Sequence, residues 1–255
     1  MKHFIHNIHK TQEYFLRALS KETFEGGGVS AFSIGNMKLN LNWSVQTGDM
    51  GEDCEATIRA VEAFYQDRDL SWRWLLNPSL PQENLRYALK KRGYHLSFTA
   101  PVFVGSLTDP FSDSSLQGFD IREGGAEKLS DWILPIKEAF QVTNEDAHFY
   151  QEAHLSALQK GAFFRHFVGY ANGIPVSAAT LSLSPYGARL DDLGTLSAYQ
   201  NKGFGGAMAL HRMRIAKDLG YDWVCLEASK HGGPLYKKMG FQELYRIKVY
   251  RKKIY

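Results

Sequence analysis

Three glycines within four residues, Gly203, Gly205 and Gly206, separate a strand-like run from a helix-like run, and that junction limits the folds open to the chain. Leu190-Asp-Asp-Leu-Gly-Thr-Leu196 reads as a strand. Phe204, Met208, His211, Ile215 and Leu219 then recur at helical spacing on one face, with Arg212, Arg214, Lys217 and Asp218 on the other. The turn between them is the chemically informative part. Its glycines let the backbone come close to a bulky ligand, and their N–H groups are donors of a helix's first turn that lack intrahelical partners. At the positive end of a helix such a turn suits a phosphate or pyrophosphate. Lys202 adds a charge and Gln200 a neutral donor.

Two familiar nucleotide motifs fail here. A P-loop needs Gly-x-x-x-x-Gly-Lys-Ser/Thr, and Lys202 precedes the glycines. The dinucleotide pattern Gly-x-Gly-x-x-Gly is absent, because Gly203-Phe-Gly-Gly runs on into Ala207-Met208. Gln200-x-x-Gly203-x-Gly205 instead resembles the Gln/Arg-x-x-Gly-x-Gly/Ala signature of the GNAT acetyltransferase superfamily. Downstream, Trp223-Val-Cys-Leu-Glu-Ala228 reads as a strand. Gly233-Pro-Leu-Tyr-Lys-Lys-Met-Gly-Phe241 is similar to that superfamily's short helix with its Tyr-x-x-x-Gly-Phe ending. The resemblance covers about residues 118–255.

At 255 residues, 44% hydrophobic, 13% aromatic and 22% charged, the chain can bury a real core in two modest domains or one large one. A net charge of +3 gives no argument for nucleic acid. Two cysteines, Cys54 and Cys225, offer no disulfide framework. No apolar run is long enough to cross a bilayer, and residues 1–10 lack a signal's apolar core. A soluble, cytoplasmic protein, monomer or homodimer, is the expectation. His3, His6 and His9 recur every third residue, but no carboxylate or cysteine stands close and the spacing is not the i, i+4 pair of zinc helices. We read them as the surface face of an N-terminal helix, and expect no metal.

The first half predicts a glycine turn at 26–28 before a strand at 29–34, a helix over 53–67, a strand over 70–76 and a helix over 81–92. Leu89-Lys-Lys-Arg-Gly-Tyr94 matches Tyr236-Lys-Lys-Met-Gly-Phe241, each following a tryptophan-bearing strand. This predicts an internal strand–helix–glycine–strand repeat whose first copy lacks the phosphate turn. The expected class is α/β (α+β), as two tandem GNAT-like lobes, each a mixed, mostly antiparallel sheet flanked by helices. Residues 1–106 form the degenerate lobe, 107–117 the linker and 118–255 the acetyl-CoA-binding domain.

In the second half, strands at 119–122, 163–170 and 174–184 flank two helices, an Asn172-Gly173 hairpin and the central strand. Pro135 is expected to kink or divide the first helix and Asn144 to cap the second. Gly194 predicts a bulge or a close backbone approach. Alternation along the strand places Asp191 and Asp192 on opposite faces.

The resemblance implies an N-acetyltransferase moving an acetyl group from acetyl-CoA to an amine of a small molecule or peptide. It implies that Gln200, Asn201, Lys202, Gly203, Phe204, Gly205 and Gly206 hold the diphosphate. Backbone groups of Leu193 and Thr195 would meet the thioester and the pantetheine, and Ser229 stands where the family often has asparagine. Tyr236 matches the family's acid beside the sulfur. For the base, Asp191, Asp192, Glu227 or a relaying water remain open. Phe140, His148, Phe149 and Tyr150 become candidate acceptor contacts. A CoA-binding module without turnover and a longer-chain or aminoacyl transferase are the alternatives.

Overall fold

The computed structural model describes residues 1–35, 41–51, 54–108, 111 and 116–252. The expected helix start at Asp53 and most of the expected linker, residues 109, 110 and 112–115, lie outside them. In chain order the elements are α1 (Lys2–Leu19), β1 (Glu22–Gly26), β2 (Val29–Ser33), β3 (Trp43–Gln46), α2 (Glu55–Gln66), β4 (Arg73–Leu76), α3 (Glu83–Lys91) and β5 (Tyr94–Ser106). There follow β6 (Phe119–Gly124), α4 (Leu129–Phe140), α5 (Asn144–Gln159), β7 (Phe164–Ala171), β8 (Ile174–Ser184) and β9 (Gly187–Thr195). The last elements are α6 (Phe204–Asp218), β10 (Trp223–Glu227), α7 (Gly233–Lys238) and β11 (Gln242–Lys252). No helix among the described residues is long and apolar enough to cross a membrane.

The chain forms two compact units, Met1–Ala100 with Tyr245–Tyr255, and Pro101–Leu244. The boundary expected at 106–118 therefore misses one exchange. The last strand clusters with the first unit because Lys248, Val249 and Tyr250 of β11 pair antiparallel with Leu76, Leu75 and Trp74 of β4.

In the first unit β1 and β2 close through Gly27 and Gly28, so the glycine run is a hairpin turn. β2 continues antiparallel to β3, and β3 runs parallel to β4. Ile58, Val61 and Tyr65 of α2 and Leu85 and Leu89 of α3 bury against Trp74, Tyr94 and Tyr250. Burying each such side chain contributes about 1.5–3 kcal/mol. The histidine row of α1 is not wholly a surface face. His9 is buried and stacks on Tyr245 at 5.6 Å, since its turn of the helix also carries Ile8 and Gln12 inward.

The second unit orders its strands β5-β10-β9-β8-β7-β6, all antiparallel except β10 with β9. Alternation along β7 and β8 supplies two cores. Phe167, Ala179 and Leu181 face Met208, Ala209 and Met213 of α6. Val168 and Ala178 face Leu129, Trp132 and Ile136 of α4.

Several local expectations change. α4 runs undivided through Pro135. α5 is capped by Thr143, whose hydroxyl accepts from the Asp146 amide at 3.1 Å, so Asn144 is its first helical residue. Gly194 is glycine because α4 lies directly over it, and a Cβ there would stand 2.6 Å from the Pro135 carbonyl oxygen. Gly194→Ala is therefore expected to destabilise the protein by about 1–3 kcal/mol, read as a lower urea midpoint. An unchanged midpoint would show that α4 is free to lift.

Candidate active site

The helix start at α6 has the form its sequence predicts. Gly203 caps it with φ +87°, a conformation that glycine adopts without a Cβ penalty. The first intrahelical bond is donated by Ala207 to the Gly203 carbonyl at 3.0 Å, so the amides of the glycine turn point outward without helical partners. The first turn holds no acidic residue. At Gly205 and Gly206 a Cβ would meet neighbours only at 3.5 Å or beyond, so packing inside the protein does not require glycine at either position. What these two glycines leave is bare amide surface, the donor set an anion such as a diphosphate needs. A cleft of about 530 Å³ opens here, lined among others by Gly203, Gly206, Leu210, Gly105 and Met239.

The other residues of the turn divide between support and approach. Gln200 donates to the Thr195 carbonyl at 3.2 Å. Phe204 stacks on Phe119 at 4.3 Å, so its ring anchors the helix start against β6. Lys202 lies exposed over the Tyr199 ring, and Asn201 is left-handed at φ +60°. The Ser229 hydroxyl accepts from the Gly232 amide at 3.0 Å and so shapes the entry to α7.

The bulge falls earlier than Gly194. Thr180 pairs with Asp191 and Ala178 with Gly194, so Asp192 and Leu193 together oppose the single residue Ala179. Asp192 takes up the extra residue with φ +53°. That insertion cancels the alternation on which the opposite-faces expectation rests. Both carboxylates occupy the side of β9 covered by α4 and α5. Asp191 accepts from Arg189 at 3.0 Å, and Glu227 accepts from the same guanidinium at 2.8 and 3.1 Å. Asp192 instead accepts from the Tyr150 hydroxyl at 2.6 Å and faces His154 Nε2 at 3.6 Å. Parallel pairing of β9 with β10 occupies Ala188–Val224 and Arg189–Cys225, so Leu193 and Thr195 lie past it. The Thr195 side chain is tied to Ser177 at 2.9 Å.

Burial, and after it the charge of Asp191, raises the Asp192 carboxyl to about 7. Tyr150 is raised well above its ordinary value by burial and by that carboxylate. Half-buried on α5, it is a hydrogen-bond partner of Asp192. His154 and His166, 2.8 Å apart, are both lowered by burial, His166 to about 4, so the ring pair is neutral near pH 7. Phe140 is exposed at the end of α4. His148 and Phe149 have ring centroids 6.5 Å apart on α5.

Tyr236 is buried among the α6-side core and packs edge-on against Phe241 at 5.3 Å. Burial raises its phenol, and the Arg212 charge pulls it back. Sequence periodicity puts Arg212 on the solvent side of α6, yet it is fully buried. It donates to the carbonyls of Met208 at 3.2 Å, Thr180 at 2.7 Å and Asp191 at 2.8 Å. Arg189, His154, His166 and Arg212 are the residues the sequence reading missed. The one local signal was an arginine two residues before a carboxylate within the strand.

The raised Asp192 has a consequence for stability. The folded state holds its proton at a pH where the unfolded chain has lost it. Between the unfolded value near 4 and about 7, this group therefore lowers stability as pH rises. Asp192→Asn is expected to be more stable than wild type at pH 8, by on the order of a few kcal/mol, with the gap closing towards pH 4. Urea titrations at both pH values check this, and a pH-independent gap would refute the raised carboxyl.

The profile of the acetyltransferase (GNAT) family matches residues 126–241. Among curated proteins, none matches the sequence. Among solved structures, the chain is similar to a GCN5-related N-acetyltransferase from Kribbella flavida, at 13% identity and TM-score 0.73, covering 96% of each chain. It is similar to a GCN5-related N-acetyltransferase from Sphaerobacter thermophilus, at 15% identity and TM-score 0.66, covering 88% of this chain and 76% of that one. A functionally unknown conserved protein from Staphylococcus epidermidis ATCC 12228 is also similar, at 13% identity and TM-score 0.64, over 91% and 93%. These likenesses bear on the fold, and the profile match on the family. The segment that carries the glycine turn, the bulged strand and Tyr236 is thus the part of the chain that matches the acetyltransferase (GNAT) family.

Proposed function

We propose that this chain transfers an acetyl group from acetyl-CoA to an amine of a small molecule or peptide. The observation that carries this reading is the bare amide surface at the start of α6, where glycine stands without any packing need for it. Acetyl-CoA, when bound, supplies the activated acyl group and a thiol leaving group. The amides of Gly203, Phe204, Gly205 and Gly206 would hold its diphosphate, with Lys202 adding charge. Leu193 and Thr195, past the paired part of β9 and β10, would offer backbone groups as an added strand does.

Asp192 is the base we favour. An ammonium must lose a proton before it can attack, and a carboxylate near neutrality is matched to take it. Asp191 and Glu227 already direct oxygens at Arg189. Tyr236 would give its Oη proton to the departing sulfur. The first unit is read as an eroded copy of the second. β4–α3–β5 and β10–α7–β11 share one order, and Gly93 and Gly240 share a left-handed φ of +84° and +86°. No glycine turn like that of α6 precedes α2.

Gly205→Asp is the sharpest test, because a Cβ there meets its neighbours only at ordinary contact distances and an acid near a helix start is not destabilising. The variant is expected to melt as wild type while acetyl-CoA binding, read by calorimetry, weakens by about tenfold or more. Tyr236→Phe is expected to lower kcat about a hundredfold in thiol-release assays across a panel of amines. Undiminished binding by Gly205→Asp would refute the diphosphate site. Tight binding with no thiol release for any amine would favour a module without turnover.

A further inference from the structure

Three side chains form a line of contacts that ends on the Asp192 carboxyl. The Tyr150 hydroxyl donates to its Oδ1 at 2.6 Å. His154 Nε2 stands 3.6 Å from its Oδ2, and His154 Nδ1 lies 2.8 Å from His166 Nε2. Tyr150 and His154 are one helical turn apart on α5, so both rings reach the same strand. His166 comes from β7. Both imidazoles are fully buried, and the Trp132 ring of α4 packs on both, at 4.6 and 5.1 Å.

One proton is shared across the contact between the two histidines, and its place decides what His154 shows to Asp192. If it sat on His154 Nδ1, a neutral His166 would carry its own proton on Nδ1, where no hydrogen-bond partner stands. His154 would then turn a bare lone pair on the carboxylate. A buried N–H with no acceptor is rarer than an unmet acceptor lone pair. With the shared proton on His166 Nε2, only a lone pair is left unmet, and His154 carries its proton on Nε2, facing Oδ2. Burial keeps both rings neutral near pH 7, as this requires. At 3.6 Å the contact with Oδ2 is one of charge with dipole, short of a hydrogen bond. Contacts of this length at catalytic groups often close when a substrate seats.

We propose that His154 is a positioning residue for the Asp192 base, locked by His166 in the tautomer whose Nε2–H faces Oδ2 while Tyr150 holds Oδ1. This inference rests on the reading of Asp192 as the base. In the step it serves, an N–H bond of the acceptor ammonium breaks and its electron pair stays on nitrogen. The proton goes to a carboxylate oxygen and from there to solvent. Neutral donors steady a carboxylate more weakly than a bonded cation does, which keeps it basic enough to accept that proton. The titratable and charged groups bearing on Asp192 are Asp191 on its own strand, Tyr150 and His154 from α5, and Arg212 from α6, with the Thr180 hydroxyl from β8. Removing a donor disfavours the ionised form, so the carboxyl then needs a higher pH to ionise.

The pH dependence of kcat/KM tests this, taken as the ratio of variant to wild type so that the amine's own titration cancels. His154→Leu is expected to cost about tenfold below pH 7 and to recover most of it by pH 9, a rise of about one unit in the acid limb. His154→Gln, which restores an N–H donor, is expected to lose less than about threefold. A loss of equal size at every pH, or one that glutamine does not relieve, overturns the inference and leaves the histidine pair purely structural. Asp192→Asn tells the two readings apart. It is expected to abolish the acid limb at a cost of about a hundredfold. If it keeps the wild-type rate and limb, the base assignment itself has failed, and the inference falls with it.

Should the His154 variants fail to fold, the wild-type protein carrying ¹⁵N-labelled histidine decides. Its imidazole resonances at pH 8, assigned through contacts with the Trp132 ring, are expected to show both rings neutral and protonated on Nε2 alone. A proton on His154 Nδ1 overturns the proposal.

Discussion

A ladder with one residue too many cannot satisfy its own backbone, and the second unit is arranged around that mismatch in β9. The insertion at Asp192 throws two neighbouring carbonyls onto the α6 side, where Arg212 takes both. It also brings two consecutive carboxylates to the α5 side, which strict alternation forbids. One feature of the backbone therefore sets both the buried cation and the buried acids. The glycine turn at the end of the same strand lies only a few residues further along. The left-handed Asp192 of β9 and the bare amides at the start of α6 are in that sense features of one segment.

The sheet also separates charge. Tyr150, His154 and His166 crowd Asp192 without a cation among them, while Asp191 and Glu227 divide Arg189 between them. Removing Arg189 would leave two partly buried carboxylates uncompensated, which is far costlier than never having built the pair. On the far side the α6 core is largely apolar, with Arg212, the Tyr236 phenol and the half-buried His211 among its few polar groups. Low local polarity makes any charge formed there costly unless a fixed partner already stands beside it.

Residues near one another in the chain proved readable. The Gly203–Gly206 turn, the helix after it, the Asn172-Gly173 hairpin and the strand–helix–glycine–strand order all follow from local chemistry, namely unpaired amides, left-handed turn residues and periodic apolar positions. Asp191 and Asp192 were misassigned because a bulge reverses facing for every residue beyond it, and nothing in Leu-Asp-Asp-Leu announces where it falls. Gly194 announced a constraint, but the constraint was the Pro135 carbonyl of another helix. Arg212 looked like a solvent residue because its reasons for burial are carbonyls 21 and 32 positions away in sequence. His154 and His166 carry no motif at all, and only the meeting of α5 with β7 makes them a pair.

The paths of β5 and β11 bear on how such a chain can be divided. β5 follows α3 of the first unit, yet its Val102–Ser106 half completes the second unit's sheet beside β10. β11 follows α7 of the second unit and returns to line the first beside β4. Each unit is thus finished by a strand that the polypeptide makes while building the other. A scission between the repeats would strip an edge from both sheets at once, exposing unpaired amides on β4 and β10. The first unit is on this account no appendage awaiting loss, because the second closes its sheet on a strand that begins in the first.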